Sequence, residues 1–198
     1  MFTQALKQIY YQLRHAIPLW FVQMLTNWLP ENRITIRLRG VLVKPFLGKC
    51  GKKFQLARGV TFLNSSGIEI GDNVYIATGC WVDGIGGLII EDEVELSPYV
   101  VMATSSHCFK NNSVRFGGSK VGSITIGKGC WIASHAVIAA GAIVGSGTII
   151  GANSVVSGSI PQNIFAGGVP AKVIGPRNDE IPDIYSRFDK KAIGRENV

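Results

Sequence analysis

From Ile126 to Val156 an aliphatic residue recurs at every sixth position: Ile126, Ile132, Ile138, Val144, Ile150 and Val156. The residue after each is small (Gly127, Ala133, Ala139, Gly145, Gly151, Ser157). Four positions after each of the first five aliphatics the side chain is small again (Cys130, Ala136, Ala142, Thr148, Ser154). This period is neither that of a helix nor that of a flat strand. It is the hexapeptide rhythm of a parallel β-helix. In such a solenoid one aliphatic per hexapeptide points inward and stacks on its counterpart in the next coil, while small residues let the chain turn tight corners.

The same rhythm runs upstream as Ile70, Ile76, Val82, then Ile90, Leu96, Met102, and more faintly as Leu56 and Phe62. It slips by two residues through Asn64-Ser65-Ser66-Gly67 and again through Gly84 and Gly86-Gly87. A corner absorbs such slips, because glycine tolerates positive φ. With three hexapeptides to a coil, about five coils are expected. Between Met102 and Ile126 the chain stays in phase but carries 18 residues more than one hexapeptide needs. That excess, roughly Cys108 to Ser123, has no place in an inner column and is expected as an ejected loop, the kind of segment that often carries function.

The first residues follow another pattern. Phe2, Leu6, Ile9, Tyr10, Leu13 and Ile17 lie at near-helical spacing, and residues 17 to 29 form a dense apolar run. The run is too short to span a bilayer and is broken by Pro18, Gln23 and Asn27. No A-x-A-like site follows it, so it is not read as a secretory signal. Two readings stand for it: a helix packed on the main domain or a neighbouring subunit, or an interfacial helix with Trp20 and Trp28 at headgroup depth. The division expected is an N-terminal helical and basic segment (1–45), a β-helix domain (46–177) and a C-terminal tail (178–198).

A chain of 198 residues holds one core. Charge changes the picture chiefly at the N-terminus. Of the net +7, residues 1 to 58 carry +9, from ten Lys or Arg against the single acid Glu31. Such a segment suits an anionic membrane or a phosphorylated ligand; no nucleic-acid motif accompanies it, and nucleic acid is not expected as a partner. Cys50, Cys80, Cys108 and Cys130 form no CxxC pair and have no histidine at zinc spacing. They read as the free thiols of a cytoplasmic protein, with no metal expected.

Ala-Thr-Ser-Ser-His (103 to 107) stands before the expected loop and Ile-Thr-Ile-Gly-Lys-Gly-Cys-Trp-Ile-Ala-Ser-His (124 to 135) after it; Ile-Phe-Ala-Gly-Gly-Val-Pro-Ala-Lys-Val-Ile (164 to 174) closes the repeats. In these motifs the chain resembles the hexapeptide-repeat acetyltransferases, similar to the maltose and galactoside O-acetyltransferases and their capsule-modifying relatives, over about residues 56 to 177. The resemblance implies an all-β, left-handed β-helix, a homotrimer with sites between subunits, and acetyl transfer from acetyl-CoA to a sugar or glycan hydroxyl in a ternary complex. It implies His107 as general base, which agrees with the chemistry: a hydroxyl is a poor nucleophile until a base takes its proton, and imidazole titrates near neutrality. The other histidines are His15, in the basic segment, and His135, inside a regular coil.

On the donor side the resemblance implies the Ser134 backbone N–H at the oxyanion, Trp131 beside the pantetheine arm near His107, and the Ala152 backbone on its amides. Lys172 and Arg177 are then candidates for the CoA phosphates. On the acceptor side Asp83 matches an acidic contact if the phase slip is allowed for. Phe109, Lys110, Arg115, Phe116 and Lys120 in the loop offer aromatic faces and cations to a glycan. The family's acceptor-binding Asn has no counterpart at Ala77 to Gly79. With the apolar, basic N-terminus, this turns the expectation from a small sugar toward a lipid-linked or polymeric glycan at the inner membrane face. N-acetylation of an amino sugar and a non-catalytic β-helix scaffold are the alternatives. A β-helical zinc enzyme would need three histidine ligands, a set His107 and His135 do not supply.

Overall fold

The computed structural model describes residues 2–178; residues 179 to 198, nearly all of the expected tail, lie outside them. The chain opens with three helices. Helix α1 (Phe2–Tyr11) runs through a π-helical turn (Gln12–Ala16) into α2 (Ile17–Thr26), and α3 (Arg33–Val43) follows. Asn32 starts α3 with a capping box: its side-chain oxygen accepts from Ile34 N (2.9 Å) and Thr35 N (3.0 Å), and Thr35 Oγ1 accepts from Asn32 N (3.1 Å). Gly40 of α3 sits where any Cβ would meet the carbonyl oxygen of Phe54, so the helix rests directly on the chain entering the first coil.

Three parallel sheets form the faces of a triangular solenoid. Face one stacks the strands Lys49–Cys50, Ile68–Ile70, Leu88–Ile90, Ile124–Ile126, Ile143–Val144 and Ser159–Ile160. Face two stacks Gln55–Leu56, Tyr75–Ile76, Glu95–Leu96, Trp131–Ile132, Ile149–Ile150 and Ile164–Gly167. Face three holds Thr61–Leu63, Trp81–Asp83, Val101–Ala103, Val137–Ala139 and Val155–Val156. Register places like on like: Ile70 opposite Ile90, Ile90 opposite Ile126, Ile126 opposite Val144. The inward columns, such as Leu56, Ile76, Leu96, Ile132 and Ile150 on face two, are buried throughout. Each such side chain contributes on the order of 1.5–3 kcal/mol by leaving water.

The coils number six rather than five. The first was faint because a half-buried Cys50 takes the inward place on face one. The last was missed because the spacing shortens after Val156, with Ile160 pairing onto Val144, and because Ala166 replaces an aliphatic on face two. The two upstream slips do fall at corners, the first as a 3-10 turn (Ser65–Gly67) entered through a left-handed Asn64. The excess between Met102 and Ile126 leaves the solenoid as an antiparallel ribbon, Ser105–His107 against Ser119–Val121.

Open ends of a parallel stack expose unpaired backbone, and both ends here are covered. At the far end Lys172–Pro176 pairs antiparallel with Ile164–Gly167. At the near end Leu19, Val43, Leu47 and Phe54 extend the core under the first coil. Arg39, 1% exposed, ties this cap together: Nη1 donates to Glu31 Oε1 (2.6 Å), Nε to Thr26 O (3.2 Å) and Nη2 to Leu29 O (2.8 Å). One guanidinium thus satisfies carbonyls at the end of α2 and neutralises the one acid of the basic segment.

Removing that fork leaves the carbonyls and the carboxylate without their donor, so Arg39→Ala should cost roughly 2–4 kcal/mol. Arg39→Lys should recover little, since an ammonium cannot reproduce the planar geometry. Urea unfolding followed by circular dichroism would read both.

Candidate active site

His107 lies at the edge where face three turns into face one. The root of its ribbon is fixed by Thr104, fully buried, whose Oγ1 donates to the Asp83 carboxylate (3.1 Å) and accepts from Gly86 N (3.0 Å). Asp83 Oδ1 in turn accepts from Asn64 Nδ2 (2.9 Å) and Ile85 N (3.1 Å). Asp83 is only 6% exposed, and its carboxylate fastens three successive corners. Beyond this root the His107 imidazole is exposed, with Nδ1 3.4 Å from Ser119 Oγ across the ribbon. If Nδ1–H donates to that hydroxyl, Nε2 keeps its lone pair for an incoming proton. Phe109 and Phe116 are about three-quarters exposed at the ribbon's end, with Lys110, Arg115 and Lys120 also open to solvent.

The edge between faces two and three is built differently. Gly79, Tyr99, His135 and Asn153 take the left-handed conformation in successive coils. Around His135 (φ 61°) the chain makes a type II turn, closed by Ala136 N donating to Ala133 O (3.2 Å). Tyr99 stacks on His135 with ring centroids 5.1 Å apart, and its ring covers the space a Cβ on Gly79 would need.

Ser134 and Ala152 precede the left-handed residues of their turns. Among the described residues, neither the Ser134 nor the Ala152 N–H donates to a backbone carbonyl. In the coil below Ser134 the same place is held by Pro98, which has no N–H; above Ala152, Gly168 N is taken by Ser154 Oγ (3.1 Å). Two open amide donors therefore stand one above the other between two positions that offer none. Trp131 lies on face two, half-exposed, its Nε1 donating to Ser97 Oγ (2.8 Å). Lys172, exposed, pairs with Gly167 at the same edge.

The family model for the bacterial transferase hexapeptide (six repeats) matches residues 123–158. The galactoside O-acetyltransferase of Escherichia coli (strain K12) is 32% identical over 150 residues, 76% of this chain and 74% of that one. The chain belongs to the hexapeptide-repeat acetyltransferases. A protein of this family from the same organism, WcaF, named for colanic acid biosynthesis, is 27% identical over 161 residues, 81% of this chain and 87% of its own. A galactoside acetyltransferase solved in complex with coenzyme A superposes with a TM-score of 0.74 at 28% identity, covering 86% of this chain and 84% of that one.

Within this acetyltransferase the expected site residues do not all meet. Ser134, Ala152 and Lys172 share one edge; His107 and the ribbon occupy the next, with the width of face three between. Strand Val137–Ala139 runs from the turn at Ser134 and His135 across face three, and Ala139 at its far end pairs with Ala103 below the ribbon. Arg177 is at neither edge. Its Nη1 donates to Gly147 O (2.6 Å), at the corner between faces one and two, and its backbone N–H to Asn163 O (3.1 Å). Sequence reasoning passed over Ser119, Thr104 and Asn64, which act only through pairings distant in the chain. Pro98 carried a usable signal: it stands 36 residues before Ser134, the register offset at which Leu96 pairs with Ile132.

The four cysteines are free thiols, as expected. Burial raises the Cys50 and Cys80 thiols to about 11 and pushes Cys130 up as well. At pH 8 about one molecule in a thousand then carries the reactive thiolate at Cys50 or Cys80. Half-buried Cys108, next to His107, should therefore be alkylated well before the others, and its modification should block transfer. Peptide mass spectrometry during iodoacetamide treatment, with activity assayed alongside, checks both.

Proposed function

We propose that this acetyltransferase moves an acetyl group from acetyl-CoA to a hydroxyl of a sugar or glycan by direct attack in a ternary complex. His107 Nε2 takes the hydroxyl proton as the oxygen bonds to the thioester carbonyl carbon. The Ser134 N–H donates to the oxyanion that forms, and collapse expels the CoA thiolate, which leaves with a proton returned from the imidazolium. The Ala152 N–H pairs with a pantetheine carbonyl, Trp131 lies along the arm, and Lys172 meets the phosphates. The pair of open amides on one edge and the solvent-facing imidazole on the next is the observation that carries this reading. Arg177, held to Gly147, is left out of the donor site.

Since base and amide donors stand an edge apart in one chain, we infer that a site is completed by setting the His107 edge of one subunit against the Ser134 edge of the next. That contact is heterologous and closes as a threefold ring, giving a homotrimer with three sites. The acceptor would lie against the ribbon, where exposed Phe109 and Phe116 suit sugar rings and Lys110 and Arg115 suit anionic substituents. The 32% identity to a galactoside O-acetyltransferase favours a hydroxyl over an amine. The four free thiols fit a cytoplasmic location.

Ser134→Pro tests the oxyanion role with little cost to the fold, because Pro98 already occupies the equivalent turn position. Turnover should fall ~10²–10³-fold. His107→Ala should lower it ~10²–10⁴-fold, with CoA affinity unchanged. His135→Asn, which keeps a residue tolerant of positive φ, should retain most activity. Co-refolding the inactive Ser134→Pro and His107→Ala chains should restore activity, as mixed trimers contain interfaces with both groups intact. An active His107→Ala enzyme would end the assignment of the base, and failure of mixing would end that of the shared site.

Lys172→Ala should raise KM for acetyl-CoA while leaving kcat nearly unchanged, and should not affect an acetyl-pantetheine donor that lacks the nucleotide. Equal losses with both donors would remove Lys172 from the phosphate role.

A further inference from the structure

The rod formed by α1 and α2 is apolar on two sides. One side, Leu19, Val22 and Thr26 with Gln23 among them, packs on the solenoid, and Gln23 Nε2 donates to Val60 O (2.6 Å). Away from that contact stand Leu6, Leu13, Ile17 and Trp28, with Trp20 and Met24 at the margin, where they also line an open groove against residues 59–64; each is between 47% and 75% exposed. Their spacing follows helical turns along a rod of about 37 Å. Apolar residues on both faces of a helix signal a second apolar environment, and one face alone is accounted for by the solenoid. On α3, Ile34, Leu38 and Val41 form a shorter outward stripe of the same kind.

Charge identifies what covers this surface. Residues 1 to 30 contain no acid. Arg39 is consumed by Glu31, and the other nine cations of residues 1 to 58, among them Lys7, Arg33, Arg37 and Lys44, are all exposed. Another copy packed rod to rod would bring two such segments together, while an anionic lipid surface supplies both the counter-charge and the apolar interior. Trp20 and Trp28 have the mixed character that favours headgroup depth. No helix among the described residues is long and apolar enough to cross a membrane, so the rod would lie along the surface.

We propose that the outward faces of the N-terminal helices dock this enzyme on an anionic lipid bilayer. This interaction needs no acetyl transfer and stands or falls apart from the chemistry above. The dock lies at the first coil, and the His107 ribbon leaves the solenoid after the third of the six coils.

The test is co-sedimentation of the full chain with vesicles of phosphatidylglycerol and phosphatidylcholine, and with phosphatidylcholine alone. The wild type should bind the anionic vesicles, and bind less as salt rises from about 0.1 M to 1 M and the screening length falls from roughly 10 Å to 3 Å. Trp20→Ser, Met24→Ser and Trp28→Ser together should weaken binding about tenfold or more, with an unchanged circular dichroism spectrum. Lys7→Gln with Arg37→Gln should weaken it further for the anionic vesicles only. Equal binding by wild type and triple variant, or equal binding to neutral and anionic vesicles, would overturn the proposal. So would a change in oligomeric mass on making the triple variant, since the stripe would then be covered by another copy of the chain.

Discussion

Every feature of this molecule depends on the backbone ladder between coils. Each coil hydrogen-bonds to those above and below, and that register alone puts Ile90 over Ile70, Ile126 over Ile90 and Val144 over Ile126. The inward columns bury apolar surface only while the ladder is in phase, so ladder and core enforce one another. Variations in spacing are therefore expelled to the corners, where a two-residue change or a whole ribbon leaves the ladder intact.

That expulsion builds the site proposed above. Corners between faces one and two and between faces two and three turn through a left-handed residue, and the type II turn at the latter edge leaves the amide before that residue without a partner in its own coil. In most coils this is a minor cost, and in one it is avoided by Pro98. At Ser134 and Ala152 it leaves donors facing outward at fixed spacing. Such donors need no reorganisation when charge develops in front of them, which is the condition for electrostatic stabilisation. The imidazole is delivered by the opposite device, an insertion too long for any corner, rooted by the buried Thr104–Asp83–Asn64 chain of hydrogen bonds.

The N-terminal cap shows one segment meeting two demands. It must close the lower end of the stack, which uses Leu19, Val43 and Leu47, and it keeps a second apolar side and an exposed basic surface. The ion pair between buried Arg39 and exposed Glu31 separates these roles, because it neutralises the single acid of the segment and leaves the remaining charge basic.

The six-residue period by itself determined the solenoid, its inward columns, two corner slips and the ejection of residues beyond Met102, because these follow from local spacing and from burial on one side of each strand. The motifs around His107 and Trp131 likewise pointed to the chemistry. Coil number was harder to read at both ends, where Cys50 and Ala166 stand in for aliphatics. Other facts arose only in three dimensions: that Asp83 is turned inward onto Thr104, that Arg177 is held at Gly147, that Ser119 faces His107, and that the His107 imidazole and the open amide donors occupy different edges. Each depends on residues brought together from separate coils, and a repeat that makes all coils alike locally carries no mark of which edge a given corner will share. Only the stacking of the coils, through the offset that each slip adds, decides that.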